Sequence, residues 1–285
     1  MEPAPVRHRL QLAAAAFLFS TGGAAIKAAT LTGWQVASFR SLVAAVVLLA
    51  VLPETRRGWS WRMLPVAAAY AATLILFVQA TRLTTAANAI FLQDTSPLYV
   101  LLLAPWLLHE PIRRRDLLFI LAIGAGMSLF FLGTEQAVAT APDPRRGNWI
   151  ALASGLSWAL TLMGLRWLAR TGTGNNSMAT VALGNLLACA VALPLAFPIT
   201  YLNGANLAVI LYLGVVQVGL AYVFVTRAIR YVPAFEATAV LLLEPVMNPI
   251  WAWLVHGETP GSWALAGGAI ILSATLVNTW RTRTA

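Results

Sequence analysis

Between clusters of arginine and short turn-forming stretches, the chain is a succession of apolar runs. They fall at roughly 10–29, 34–52, 63–80, 84–107, 116–133, 148–168, 177–198, 206–227, 233–255 and 261–280. A hydrocarbon core about 30 Å thick asks for about 20 mostly apolar residues per helix, so the pattern predicts ten transmembrane helices. The apolar positions do not alternate with a period of two, as the strands of a membrane barrel must. Ten such runs leave only short loops and small tails of the 285 residues. Arg7 and Arg9 precede the first, alanine-rich run as they would in a secretory leader. The next apolar run follows almost at once and no polar mature domain appears, so the run reads as a retained first helix. The expected fold class is an all-α integral membrane protein.

Composition agrees with the pattern. The chain is 59% hydrophobic and 10% charged, where globular domains carry about 45–50% apolar and about 25% charged residues. Its mean hydropathy of +0.75 excludes a disordered chain or an ordinary water-soluble enzyme. The one cysteine, Cys189, excludes a disulfide framework and a multi-thiolate metal site. The net charge of +9 could point to nucleic acid, but the distribution of the basic residues argues otherwise. Counting loops alternately, fourteen of the nineteen fall on one side, among them Arg7, Arg56, Arg113, Arg114, Arg115, Arg170, Arg227 and Arg281. Lys27, Arg82, Arg145 and Arg146 fall on the other, and Arg40 lies inside a run. The positive-inside rule then predicts that both termini are cytoplasmic in a bacterial inner membrane.

The chain also repeats itself. Shifted by 148 positions, Ala80, Arg82, Ala86, Ala89, Pro97, Ala104 and Glu110 meet Ala228, Arg230, Ala234, Ala237, Pro245, Ala252 and Glu258, seven identities in 31 positions. The implied halves, 1–140 and 141–285, each hold five runs. An odd number sends the second half through the membrane upside down relative to the first, the inverted-repeat plan of many secondary transporters, whose site lies at the midplane. Pro97 and Pro245 fall near mid-membrane, where proline frees backbone carbonyls, and they are candidate hinges or static packing kinks. Small residues four apart, Gly124 with Ser128 and Ala264 with Gly268, predict close helix packing.

Charges in hydrocarbon are costly and ask for a partner or a purpose. Arg40, Asp94 and Glu244 are the deep ones. Arg40 and Asp94 can pair as structural charges or meet a substrate. Glu244 can carry a proton, bind an ammonium group or be a carboxyl kept neutral by burial. Lys27 and Glu236 sit near run ends, where long side chains can snorkel. Uncharged polar candidates for a wet cavity are Gln79, Asn88, Gln93 and Asn248, with Ser20, Thr21, Thr95 and Ser96 in the same layer. Most tryptophans lie near run ends, as an interfacial belt requires. Trp158 is deep, and Phe17, Phe77, Tyr99 and Tyr222 lie at compatible depths. An aromatic pocket of this kind suits an amphipathic organic solute better than an inorganic ion, while ordinary aromatic packing remains the alternative.

Several chemistries lack their signatures. The only lysine, Lys27, follows Ala24, Ala25 and Ile26, so no phosphate-binding loop is present, and neither HExxH nor GxSxG occurs. No cofactor or metal is expected. With ten runs, Lys27, Arg40, the Pro97 and Glu110 pair and the stretch LEPVMNPIWAWLVHGE carrying Pro245 and Glu258, the chain resembles the drug/metabolite transporter superfamily, and more closely its EamA-type branch. The resemblance implies a bundle around a central cavity and export of amino acids (aromatic, methionine or threonine-like) by alternating access. It implies Tyr99 and Trp158, with Phe77, as cavity aromatics. The expected partners are a small solute and the lipid bilayer, with no nucleic acid and a monomeric state allowed. Exporters of a cationic drug, nucleobase or nucleotide-sugar on the same fold, a membrane-embedded enzyme and a passive channel are the competing readings.

Overall fold

The computed structural model describes residues 6–107, 116–132, 136–170, 177–199, 203–228, 231–232, 237 and 240–284. Glu110, the basic run of Arg113, Arg114 and Arg115, Arg230, Ala234 and Glu236 lie outside the described residues. Among those described, the chain is helical, and an isolated bridge between Val138 and Ala141 is the one extended pairing. Seven segments are long and apolar enough to cross a membrane: Val6–Ala28, Gly33–Val51, Met63–Leu83, Ala86–Leu107, Pro144–Ala169, Ser177–Ala196 and Gly204–Ala228. Asp116–Leu132 and Ser262–Asn278 are shorter apolar helices, and Leu243–His256 occupies the second part of the ninth predicted run. The protein is thus a multi-pass helical membrane protein.

The helices, in chain order, are α1 (Val6–Ser20), α2 (Gly22–Ala28), α3 (Gly33–Val51), α4 (Met63–Leu83), α5 (Ala86–Gln93), α6 (Ser96–Leu107) and α7 (Asp116–Leu132). After them come α8 (Pro144–Arg170), α9 (Ser177–Ala192), α10 (Gly204–Leu211), α11 (Ala221–Ala228), α12 (Leu243–His256) and α13 (Ser262–Thr284). A π-helical stretch, Tyr212–Leu220, joins α10 to α11.

Three predicted runs are interrupted helices, and local chemistry accounts for two of the interruptions. Between α1 and α2 the Thr21 hydroxyl turns back to donate to the Leu18 carbonyl at 2.7 Å, a bond that competes with helix continuation. Between α5 and α6, Thr95 donates to the Leu92 carbonyl at 2.6 Å. Pro97 follows in the first turn of α6, where its missing N–H is an orphan in any case. The predicted mid-helix kinks are therefore corrected: Pro97 and Pro245 stand in the opening turns of α6 and α12, just past breaks, and the prolines inside those helices are Pro105 and Pro249.

Packing is close wherever glycine allows it. A Cβ on Gly267 would lie 2.6 Å from the Gly126 carbonyl oxygen, so α7 and α13 meet almost backbone to backbone. The predicted Ala264 and Gly268 do pack inward, Ala264 buried and Gly268 against the Phe91 ring. Gly124 faces open space, and Gly126, on another face of the same helix, makes the contact instead. One apolar cluster joins α5, α7, α8 and α13 through Ile90, Phe119, Ile123, Ala151 and Ile271. A second joins α2, α3, α4 and α10 through Ile26, Val36, Val78 and Ile210.

Lys27 does not snorkel. Its ammonium lies 2.7 Å from the Glu258 carboxylate, with both side chains at most 4% exposed. It also donates to the Thr84 carbonyl at 2.9 Å and to that of Thr140, while Glu258 accepts the Ala86 N–H at 2.5 Å. Nearby, Arg82 covers the Ile26, Ala29 and Leu31 carbonyls. These contacts tie the end of α2 to the segments at Thr84, Thr140 and Glu258.

Candidate functional site

The three deep charges of the sequence come together. Arg40 from α3, Asp94 from the break after α5 and Glu244 from the first turn of α12 line one cavity of about 140 Å³. Each side chain is delivered by a different part of the bundle. Asp94 is available because α5 stops there, capped by its own N–H to the Ile90 carbonyl. Glu244 is available because α12 begins there. Breaks of this kind put side chains and backbone ends into the middle of a membrane bundle.

Arg40 is 2% exposed and donates to the Leu74 carbonyl at 3.1 Å, while its Nε has no partner. Of the two readings for Arg40 and Asp94, the ion pair is not formed: among the described residues no carboxylate lies within 4.0 Å of the guanidinium. Leu74 takes the guanidinium instead, and Asp94 Oδ2 is buried without a hydrogen bond. Around the charges stand aromatic walls. Tyr70 donates to the Tyr222 hydroxyl at 2.9 Å. The Tyr70 ring lies 6.2 Å from Trp158, and Phe19 meets Tyr222 edge-on at 5.3 Å. Gln93 accepts from the Ser154 hydroxyl at 3.1 Å, and Gln217 donates to the Phe19 carbonyl at 3.3 Å, leaving Gln217 Oε1 without a partner.

Of the residues singled out in the sequence, Arg40, Phe77, Gln93, Asp94, Trp158, Tyr222 and Glu244 meet at this cavity. The others do not. Phe17 is 44% exposed and edge-on to Trp251, and Tyr99 lies on α6 outside the lining. Gln79 covers Gly33. Asn88 bonds Thr84 and Asn148 in a buried polar network. Asn248 is fully buried against Gly23. Pro97 and Pro245 flank the breaks without lining the cavity. Phe19, Tyr70, Thr73 and Gln217 belong to the site and were not anticipated. Gln217 carried a usable signal, an amide at the centre of an apolar run. It sits in the π-helical stretch, the kind of irregularity that often marks functional positions.

A cationic group and two carboxyl groups inside an aromatic chamber can hold an organic solute by paired charges and ring faces. A multi-pass helical bundle with such a chamber at its helix breaks defines a membrane transporter of small solutes. The EamA-like transporter family matches residues 9–132 and 145–280, and the chain belongs to that family. An uncharacterised protein of Pseudomonas aeruginosa is 32% identical over 263 residues, covering 88% of this chain and 85% of its own. The pseudopaline exporter CntI of Pseudomonas aeruginosa is 27% identical over 274 residues, 91% of each chain. A solved crystal structure superposes with a TM-score of 0.62 at 18% identity over 99% of both chains, a likeness of fold alone.

Proposed function

We propose that the protein is a secondary exporter of amino acids and similar small organic solutes in a bacterial inner membrane. Two inverted five-helix halves, 1–140 and 141–285, alternately expose the chamber to either side, with both termini in the cytoplasm. The reading rests on one observation above others: Arg40, Asp94 and Glu244 converge with Trp158, Tyr70 and Tyr222 on one buried cavity. An amino acid's carboxylate matches the guanidinium, its ammonium matches the carboxyl groups, and its side chain matches the rings. The resemblance to the EamA-type branch implies the amino acid class, and the two family matches, one per half, support the two-unit plan. At about 140 Å³ the cavity is smaller than the roughly 300 Å³ of typical ligand pockets. Solute entry therefore moves side chains, as a rocking mechanism requires.

A second reading keeps the fold and changes the cargo to a larger metabolite such as the pseudopaline of the CntI relatives, which align over 91% of both chains. Flux of labelled amino acids from proteoliposomes, with pseudopaline as competitor, separates the two. Trp158→Ala lowers amino acid flux about tenfold, equivalent to about 1.4 kcal/mol of lost contact, in protein that still elutes as a folded species. Flux that Trp158→Ala leaves untouched for every amino acid removes the chamber from the mechanism.

A further inference from the structure

We infer that the chamber selects amino compounds carrying one more positive than negative charge, diamino acids of the lysine and ornithine type, over ordinary zwitterionic amino acids. The inference rests on the export reading and names the substrate class within it. Among the described residues lining the chamber, the ionisable groups other than the two tyrosines are one guanidinium, Arg40, and two carboxyl groups, Asp94 and Glu244. The groups left open tell the same story. Arg40 offers one unpartnered buried donor, Nε, while Asp94 Oδ2 and Gln217 Oε1 are unpartnered buried acceptors, and the Glu244 carboxyl group lines the same space. A buried polar atom without a partner is costly, so a ligand that supplies the missing partners gains from each one.

A zwitterion satisfies Arg40 with its carboxylate and one carboxyl group with its ammonium, leaving the second carboxyl group either protonated or charged without a countercharge. A second ammonium on the solute closes that gap. The rings add to the preference, because ammonium groups are held at the faces of tryptophan and tyrosine, and Trp158, Tyr70 and Tyr222 share the wall. An anionic amino acid brings two carboxylates to a chamber with one guanidinium and two carboxyl groups, and is disfavoured.

The test uses the full-length protein in proteoliposomes with labelled L-lysine, L-ornithine, L-methionine and L-glutamate at fixed pH and ionic strength. Lysine and ornithine move at least about tenfold faster than methionine at equal low concentration, the scale of one close charge pair, and glutamate moves most slowly. Asp94→Asn and Glu244→Gln, which keep side-chain volume, each bring the lysine-to-methionine ratio down about tenfold, and elution as a single folded species tells a loss of selectivity apart from a loss of fold. Ligand-induced thermal stabilisation of the same variants provides a second readout if flux is too low to measure. A methionine preference at or above that for lysine, or a ratio that neither substitution moves, overturns the inference and leaves amino acid export standing. Absence of flux and of stabilisation for all four solutes overturns the export reading itself and this inference with it.

Discussion

At the residue scale, glycine and asparagine show how tightly this bundle is drawn. Gly267 has no room for a methyl group, since the Cβ would meet the Gly126 carbonyl oxygen at 2.6 Å and the Phe130 ring at 2.6 Å. Because one of those neighbours is backbone, Gly267→Ala forces α7 and α13 apart and costs about 1–3 kcal/mol, the usual range for overpacking. Thermal unfolding in detergent measures it, and Gly124→Ala, which faces open space, is the control expected to leave the midpoint unchanged. The sequence announced small residues four apart as packing surfaces without saying which face of each helix meets a neighbour. Spacing reports which residues share a face; only the partner helix decides which face is covered. Asn248 makes the same point in polar form: its depth was readable, but its burial against Gly23 instead of the chamber was not.

At the scale of elements, the interrupted helices carry the site. Asp94 reaches the chamber because α5 ends at Gln93 and α6 begins at Ser96. The break is made by the Thr95 hydroxyl and stabilised by a proline at a position whose N–H has no helical partner. It follows that Pro97→Ala is tolerated thermodynamically, within about 1 kcal/mol, since the restored N–H adds no lost bond and removes no packing of consequence. If the break is the hinge of alternating access, the same substitution slows flux several-fold while the melting midpoint holds. Equal slowing and destabilisation would instead mark Pro97 as a packing residue. The apolar runs were legible because hydrocarbon demands length and apolarity, both one-dimensional properties. The breaks were legible only as prolines, and the π-helical stretch at Tyr212–Leu220 was not legible at all. A widened turn depends on what neighbouring helices offer to its backbone.

For the whole molecule, the buried ion pair at Lys27 is the decisive feature. One ammonium ties α2 to Glu258 beyond α12, to the Thr84 carbonyl and to the 136–143 segment. Removing one member of a buried pair strands the other, so Lys27→Met costs about 3–5 kcal/mol. Glu258→Gln is similarly unfavourable and also weakens the bond to the Ala86 N–H. The double variant recovers part of the loss, because neither charge is left alone. Unfolding of the three variants in one detergent checks the order, and a double variant as unstable as the sum of the singles would show that the two residues act independently.

Length, apolarity and the placement of arginine were enough to establish a multi-pass helical membrane protein and to single out Arg40, Asp94 and Glu244 as charges needing an explanation. Those properties follow from the bilayer as solvent, which acts on each segment separately and leaves its mark residue by residue. Which charges meet was decided elsewhere. The Leu74 carbonyl holds the Arg40 guanidinium, Lys27 pairs with Glu258, and Tyr70 joined the chamber from a helix whose sequence reads as ordinary core. Rotation of each helix about its own axis sets these contacts, and that angle is chosen by the packing of every neighbour at once.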